Sequence, residues 1–217
     1  MSIKNGKFIV FEGVGGCGKG TQIRIANKLL LKNKIKVVTT REPGGIPVSE
    51  EMRDLIFTLR DKKLIGPEGQ MVLFFAARKF WVKSFVKKNI EKGVNVLADR
   101  CYPATGAYQG YGEGGNQHQI LGISDVVMGK YKPDAVILLD VSTKTSMKRR
   151  ADSNGDPFDK ETVEYFNKIV NGYKQMAKKR WGGLRWYVVD GESSVDEVAE
   201  SVAKVLEKIY SRKLDRI

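Results

Sequence analysis

The residues best suited to chemistry lie in a glycine-rich stretch near the start of the chain, where four residues separate Gly13 from Gly18 and Lys19 follows directly. An apolar run at residues 8–11 precedes the stretch, and residues 21–31 after it carry apolar side chains at helical spacing. A strand that turns through glycines into a helix directs backbone N–H groups and an ammonium at one point. The pattern predicts a site for the phosphates of a nucleoside triphosphate, formed by Gly13, Val14, Gly15, Gly16, Cys17, Gly18, Lys19, Gly20 and Thr21. The alternative interpretation is a glycine turn between two core elements.

The position after Lys19 departs from the usual phosphate loop. A Ser or Thr hydroxyl normally stands there and reaches Mg²⁺, whereas this chain has Gly20, with Thr21 one place later. Direct ligation of the metal by a hydroxyl is therefore not expected. Residues 18–22, GKGTQ, resemble the loop of adenylate kinase and related nucleoside monophosphate kinases. That resemblance implies Mg²⁺ held largely through water and phosphate oxygens.

The loop must be positioned by strands and helices, and the chain has candidates for both. Further strand candidates are residues 36–40, 94–99, 135–140 and 186–190, and the clearest helical patterns are residues 67–92, 160–179 and 194–211. This alternation predicts an α/β fold of the P-loop NTPase type, a three-layer α/β/α arrangement around a five-stranded parallel sheet. Ligands bind such sheets at the carboxyl ends of the strands, so we expect the loops after Phe11, Thr40 and Asp99 to share one cleft.

Length and composition indicate one domain spanning residues 1–217, with 41% hydrophobic and 29% charged residues. The glycine-rich stretches 110–115 and 153–157 are expected to be loops within it. No run of about 18 apolar residues is present, and because the first residues lead into the phosphate loop we expect no removable signal peptide. We therefore expect a cytoplasmic protein with no membrane partner, in which Cys17 and Cys101 are reduced thiols without a catalytic role.

The formal net charge of +13 raises the possibility of a nucleic-acid partner. The lysines are nevertheless scattered along predicted helix faces, with no basic tail and no patch in which aromatic residues alternate with basic ones. A solvated surface is the better interpretation, and the remaining positive charge suits a site for two polyanionic nucleotides.

Two charged residues stand at the end of the third predicted strand. The guanidinium of Arg100 can match two phosphate oxygens, so we expect it to bind the phosphate of an acceptor. Asp99 places a carboxylate where Mg²⁺ or its waters would lie. Asp140 ends a similar apolar run, so these patterns do not decide which of the two aspartates lies at the metal.

Phe74 and Arg78 are four positions apart on a predicted helix, so their side chains project in the same direction. The ring can stack on a base and the guanidinium can donate to its carbonyl groups, an arrangement that suits a pyrimidine. The alternative is an ordinary amphipathic helix with Phe74 in the core and Arg78 solvated.

Longer strings in the sequence resemble the thymidylate kinase family from residue 7 to about residue 173. These are TREPGG in residues 40–45, DRCYPATGAYQG in residues 99–110, the phosphate loop and FFAAR in residues 74–78. The resemblance implies phosphoryl transfer from ATP to dTMP, giving dTDP and ADP. It also implies that the reaction requires Mg²⁺ and that the protein forms a homodimer. It also favours Asp99 over Asp140, because it places the neighbours of Asp99 at the phosphates.

The resemblance further implies roles for individual residues. Phe74 would stack on thymine and Arg78 would donate to its carbonyl edge, while Arg100 and Arg53 would hold the dTMP phosphate. Tyr108 would help to exclude a ribose 2′-hydroxyl. The expected acceptor-binding set is Glu42, Arg53, Phe74, Arg78, Arg100, Thr105, Tyr108 and Gln109.

Residues 147–158 resemble the mobile lid of the family, which closes over the donor and brings arginine to the transferring phosphoryl group. The alternative is a basic helix end followed by a turn. The expected catalytic residues are Lys19, Asp99, Arg100, Arg149 and Arg150. No general base is required, because a nucleotide monophosphate is already mostly dianionic at neutral pH.

Two positions depart from the family pattern. Gly15 stands where many relatives carry Asp or Glu toward the acceptor 3′-hydroxyl, and Thr105 stands where Ser or Asn is commoner. These departures motivate an alternative function as a kinase for another pyrimidine monophosphate, such as dUMP or UMP. The glycine at position 20 motivates a second alternative, a nucleotide-binding module without turnover.

Overall fold

The computed structural model describes residues 6–151 and 161–216. Its centre is a five-stranded sheet in the order β2-β3-β1-β4-β5, in which every neighbouring pair is parallel. The strands are β1 Phe8–Glu12, β2 Val37–Arg41, β3 Asn95–Asp99, β4 Ala135–Asp140 and β5 Trp186–Asp190. Helices flank the sheet, so the predicted α/β fold is confirmed.

The three central strands have apolar side chains on both faces, as strands covered by helices on both sides require. Every residue of β1 is buried, and so are the residues of β3 and β4 except their terminal aspartates, Asp99 and Asp140. The edge strands β2 and β5 are more exposed, and each has one buried residue, Val37 and Val189 respectively. The core therefore centres on β1, and the first polar groups after it lie at the carboxyl edge of the sheet.

The helices connect the strands in the predicted alternation. In chain order they are α1 Lys19–Lys32, α2 Pro47–Asp61, α3 Pro67–Trp81, α4 Lys87–Glu91, α5 Tyr102–Thr105, α6 Gln117–Met128, α7 Thr143–Ala151, α8 Val163–Lys178 and α9 Val195–Tyr210. None of the helices within the described ranges is both long and apolar enough to cross a membrane.

Two segments have π-helical turns that the sequence pattern does not predict. Val82–Val86 forms one between α3 and α4, inside the helix predicted at residues 67–92. Gly106–Gly112 forms another after α5, so the predicted loop is wrong for residues 110–112. Close packing explains the glycines there, because a Cβ on Gly110 would lie 2.1 Å from Gln117 Nε2 and one on Gly112 would lie 3.0 Å from the Tyr165 ring. The second predicted glycine-rich loop, residues 153–157, and the part of the predicted lid after Ala151 lie outside the described residues.

Helix α8 packs closely on the second π-helical segment through Gly172. A Cβ on Gly172 would lie 2.7 Å from both Cβ and Cγ of Tyr111. By contrast, Gly122 in the exposed part of α6 has open space around the position of a Cβ. The two helical glycines therefore differ in packing alone.

We expect Gly122→Ala to raise the free energy of unfolding by about 1 kcal/mol, because alanine favours helix. Gly172→Ala has the same helical advantage but overpacks against Tyr111, so we expect a net decrease of roughly 1–2 kcal/mol. Urea unfolding of both variants measures the difference. Equal stabilisation by the two substitutions would show that α8 does not pack as described.

Candidate active site

The glycine-rich loop joins β1 to α1 in a backbone conformation that depends on glycine. The φ angles of Gly13, Gly16 and Gly18 are +138°, +73° and +96°, values that residues with a side chain rarely adopt. A Cβ on Gly13 would also lie 2.6 Å from the carbonyl oxygen of Leu139. The loop thus leads directly into the first turn of α1, where N–H groups of a helix N-terminus are available to an anion.

Lys19 is the first residue of α1, and its ammonium lies against the loop. Lys19 Nζ donates to the carbonyl oxygens of Gly13, at 3.2 Å, and Val14, at 3.3 Å. Asp99 Oδ1 lies 3.9 Å from the same nitrogen. The other aspartate considered, Asp140, instead pairs with Lys174 at 3.3 Å. The structure therefore brings Asp99, rather than Asp140, to the phosphate loop.

Arg100 follows β3 and turns its guanidinium toward the loop. Its Nη1 donates to the carbonyl oxygen of Gly13 at 3.0 Å and to the Tyr173 hydroxyl at 3.1 Å, and its Nη2 donates to the Tyr108 hydroxyl at 3.0 Å. Its backbone φ is +73°, in the left-handed region. The guanidinium is thus held at the junction of β1, β3 and α8.

Two adjoining cavities lie at this edge of the sheet. A cleft of about 460 Å³ runs along the phosphate loop, and a smaller cavity of about 90 Å³ lies beyond Arg100. Glu42, Arg53 and Arg100 line both, so the cavities meet at these side chains. The smaller cavity is lined by every residue predicted to bind the acceptor, namely Glu42, Arg53, Phe74, Arg78, Arg100, Thr105, Tyr108 and Gln109.

Arg78 is buried rather than solvated, with 3% of its surface exposed. It forms an ion pair with Glu42, donates to Thr105 Oγ1 at 3.1 Å, and lies 4.6 Å from the centroid of the Phe75 ring. Burial raises the pKa of Glu42, and the adjacent Arg78 opposes this rise. Within the described residues Arg78 Nη1 has no hydrogen-bond partner, although it is buried. Arg78 lines the smaller cavity, so this donor belongs to a residue in the cavity wall.

The other walls of the smaller cavity combine aromatic and polar groups. The Phe74 ring packs edge-on against Phe57, with centroids 6.4 Å apart. Arg53 lies over the Phe57 ring and donates to the carbonyl oxygen of Pro43 at 3.3 Å. Gln109 contacts Gln70 at 3.4 Å. The cavity thus offers one aromatic side wall and cations at its opening toward the cleft.

The two arginines assigned to the lid lie at the end of α7, which packs against the phosphate loop. Arg149 Nη1 donates to the carbonyl oxygen of Gly191 at 3.1 Å, and Arg150 lies 4.2 Å from the centroid of the Phe166 ring. Neither lines the cleft in the described arrangement. Ser146 Oγ on the same helix donates to the carbonyl oxygen of Gly15 at 2.7 Å, which fixes α7 to the loop.

Comparison with known proteins agrees with this arrangement. The family model described as thymidylate kinase matches residues 11–202. The chain belongs to the thymidylate kinase family. It is 36% identical to a protein named thymidylate kinase from Hahella chejuensis over 94% of this chain and 97% of that protein. A thymidylate kinase from Francisella tularensis subsp. novicida is 32% identical over the same shares, and one from Geotalea daltonii is 34% identical over 91% and 94%.

Membership of the thymidylate kinase family implies that the site binds Mg²⁺. The oxygen donors that line the cleft show whether the residues present fit this ion. Asp99 Oδ1 is buried and has no hydrogen-bond partner within the described residues. No group of three or more His, Cys, Asp or Glu side chains forms a metal site in residues 6–151 or 161–216. A single carboxylate beside the phosphate loop, facing only Lys19 at 3.9 Å among the described ion pairs, suits Mg²⁺, which is usually bound by few protein ligands, with waters and phosphates completing its shell.

Sequence reasoning missed Glu12, the last residue of β1. Its Oε1 accepts from the Cys101 N–H and its Oε2 accepts from the Tyr173 hydroxyl, both at 2.8 Å. The side chain is completely buried. Burial raises its pKa from 4.5 to about 7, although Arg100, the two hydrogen bonds and Lys19 favour the ionised form. A carboxylate at the end of a wholly apolar strand was the available signal for this residue.

The raised pKa of Glu12 predicts a pH-dependent stability. The folded protein keeps this proton to a higher pH than the unfolded chain, so the contribution of Glu12 to stability is complete below pH 4.5 and is lost as pH rises through about 7. Between about pH 5 and pH 8 we expect the free energy of unfolding of the wild type to fall by roughly 2–3 kcal/mol relative to Glu12→Gln.

Urea unfolding across this pH range measures the effect. Glu51→Gln, at an exposed carboxylate on α2, is the matched control and should follow the wild type. If the free energy of unfolding depends on pH in the same way for the wild type and Glu12→Gln, the prediction is contradicted.

Proposed function

We propose that this chain transfers a phosphoryl group from ATP to dTMP, giving dTDP and ADP, in one kinase domain spanning residues 1–217. The observation that carries the proposal is the junction of the two cavities at Glu42, Arg53 and Arg100. A donor in the cleft and an acceptor in the smaller cavity would then meet with their phosphates between these cations. The thymidylate kinases to which the chain is similar support this assignment.

The smaller cavity has the features of a pyrimidine site. The Phe74 side chain forms part of its wall and can stack on a base. Arg78 Nη1 is a buried donor, and a pyrimidine carbonyl group would satisfy it. Tyr108 closes the cavity beside Arg100, where the sugar of a nucleotide with its phosphate on Arg100 would lie.

The reaction requires position and charge compensation rather than a proton acceptor. In this mechanism Lys19 and the loop N–H groups bind the β- and γ-phosphates of ATP, while Arg100 and Arg53 orient the dTMP phosphate for in-line attack. Asp99 would hold Mg²⁺ through water, and the metal would supply charge neutralisation at the phosphates. Arg149 and Arg150, which stand on α7 against the loop, are assigned to the charge of the transition state.

The central test measures ADP and nucleoside diphosphate formation from ATP, Mg²⁺ and dTMP. We expect Lys19→Ala to reduce kcat/KM by roughly 10²–10³-fold, comparable to loss of one preorganised electrostatic contact at a transition state. Lys28→Ala, which removes an exposed lysine from the same helix, should leave the rate unchanged. Near-normal turnover by Lys19→Ala would overturn the assignment.

An acceptor panel separates the proposed function from its alternatives. Under identical conditions dTMP should be preferred over dUMP and UMP. Preference for a pyrimidine without the 5-methyl group would favour the alternative suggested by Gly15 and Thr105. ATP binding without ADP release in the presence of dTMP would favour a binding module without turnover.

Position 20 offers a test of how the metal is held. A Cβ on Gly20 would have no neighbouring atom within 4 Å, so a serine fits there. We expect Gly20→Ser to add a ligand and lower the Mg²⁺ concentration for half-maximal activity roughly 2- to 10-fold, the equivalent of one hydrogen bond. Calorimetric titration of the protein with ATP should show a similar gain in affinity when Mg²⁺ is present. Without Mg²⁺ the affinity for ATP should not change. A gain without metal would contradict this interpretation.

The proposal includes a homodimer and a cytoplasmic location. Exposed apolar side chains stand on the packed helices α3 and α6, where Val72, Phe80 and Val126 are 55%, 49% and 76% exposed. Such surfaces are typical of subunit contacts. The two buried cysteines are free thiols, which suits a reducing compartment.

Sedimentation equilibrium tests the dimer. We expect the wild type to have about twice the chain mass of 24.3 kDa. Val126→Asp should shift the equilibrium to monomer, because an unpaired charge at an apolar contact is strongly disfavoured. Val195→Asp, at an exposed valine on α9, is the control. A monomeric wild type would refute this part of the proposal.

A further inference from the structure

The carboxyl group of Glu12 lies behind Arg100, and the mechanism above gives it no role. It is completely buried, and both of its oxygens already accept hydrogen bonds, from the Cys101 N–H and from the Tyr173 hydroxyl. It lines neither the cleft nor the smaller cavity. These contacts exclude direct action of Glu12 on a nucleotide as an acid or base.

The Tyr173 hydroxyl connects this carboxyl group to Arg100. It donates to Glu12 Oε2 at 2.8 Å and accepts from Arg100 Nη1 at 3.1 Å. Tyr173 itself is 2% exposed, so packing fixes its ring. The hydroxyl therefore stands between a buried carboxyl group and a guanidinium, with one hydrogen bond to each.

The backbone on both sides of this connection is also held. Cys101, whose N–H binds Glu12 Oε1, is the residue next to Arg100. Arg100 has a φ of +73°, a conformation in which a non-glycine residue persists only where its surroundings hold it. Glu12 thus supports Arg100 twice, through the following peptide group and through the Tyr173 hydroxyl.

The groups that face Glu12 come from three directions. Lys19 approaches from α1, Arg100 and Cys101 from the end of β3, and Tyr173 from α8. Arg100 is the one member of this set that contacts Glu12 through Tyr173 and also lines both cavities. Cys101 lines the smaller cavity as well but carries no cationic group, so any effect of Glu12 on the phosphate of an acceptor nucleotide should pass through Arg100.

We propose that Glu12 and Tyr173 are positioning residues that fix the Arg100 guanidinium in the orientation that binds the acceptor phosphate. The inference rests on the proposed function, since it assumes that Arg100 binds the phosphate of dTMP. It adds that the strength of this contact depends on a carboxyl group in β1 and a hydroxyl in α8, neither of which touches the nucleotide.

The experiment compares the affinities of dTMP and thymidine, which differ in the phosphate alone. Calorimetry is performed on the wild type, Tyr173→Phe and Glu12→Gln. We expect each variant to bind dTMP about 10-fold more weakly, equivalent to about 1.4 kcal/mol, and to bind thymidine with unchanged affinity. The KM for dTMP should rise by a similar factor, whereas the KM for ATP should not change.

Tyr165→Phe is the matched control. Tyr165 lies on the same helix and its hydroxyl donates to another carboxylate, Glu113, at 3.3 Å. This variant should bind both ligands as the wild type does. If Glu12→Gln fails to fold, Tyr173→Phe still tests the inference, because this variant loses one oxygen atom and keeps the carboxyl group of Glu12.

The outcomes distinguish this inference from the proposed function. A wild type that does not phosphorylate dTMP would overturn both. An active wild type whose Tyr173→Phe variant binds dTMP equally tightly would overturn the inference alone. Equal weakening of dTMP and thymidine would also overturn it, because a general structural defect does not select the phosphate.

Discussion

The carbonyl oxygen of Gly13 accepts hydrogen bonds from both Lys19 Nζ and Arg100 Nη1, and the arrangement of the whole site depends on this shared acceptor. The two cations repel each other, so each is stable there only with an acceptor close at hand. Gly13 presents its carbonyl group at a φ of +138°, in a space that a Cβ would fill. Because β1 and β3 are neighbours in the sheet, with Phe11 opposite Asp99, this one backbone atom is within reach of a cation from α1 and a cation from the end of β3.

The charge around this atom is unevenly distributed in a way that suits polyphosphates. The cleft is lined by Lys19, Arg24, Arg41, Arg53 and Arg100, against the carboxylates of Glu42 and Asp99. Arg41 is partly neutralised outside the cleft by Glu50 at 2.8 Å, and Glu42 pairs with Arg78 in the smaller cavity. A concave surface with an excess of cations concentrates the field where phosphates would lie. Local geometry, rather than the net charge of +13, would therefore favour anions at this site.

The strands, and the residues that line the two cavities, could be predicted from sequence because both depend on local patterns. The first predicted strand, at residues 8–11, differs from β1 Phe8–Glu12 only by Glu12, which looks like a polar boundary although it is buried. Tyr173 also fits the apolar face of α8, and nothing local shows that its hydroxyl reaches a carboxyl group 161 positions away. The π-helical turns at Val82–Val86 and Gly106–Gly112 likewise depend on packing between distant elements, which periodicity does not report.

The buried carboxyl groups explain why the arginines of the site can be rigid. A free arginine loses considerable side-chain entropy when it binds a ligand, and this loss weakens binding. Arg78 has already lost that freedom in its ion pair with Glu42, and the hydroxyls of Tyr108 and Tyr173 hold Arg100. A buried acceptor beside each guanidinium offsets the cost of burying its charge, but the acceptors differ. Arg78 is paired with the carboxyl group of Glu42, whereas the hydrogen-bond partners of Arg100 are neutral hydroxyls and a backbone carbonyl, so Arg100 retains more of its attraction for a dianionic phosphate.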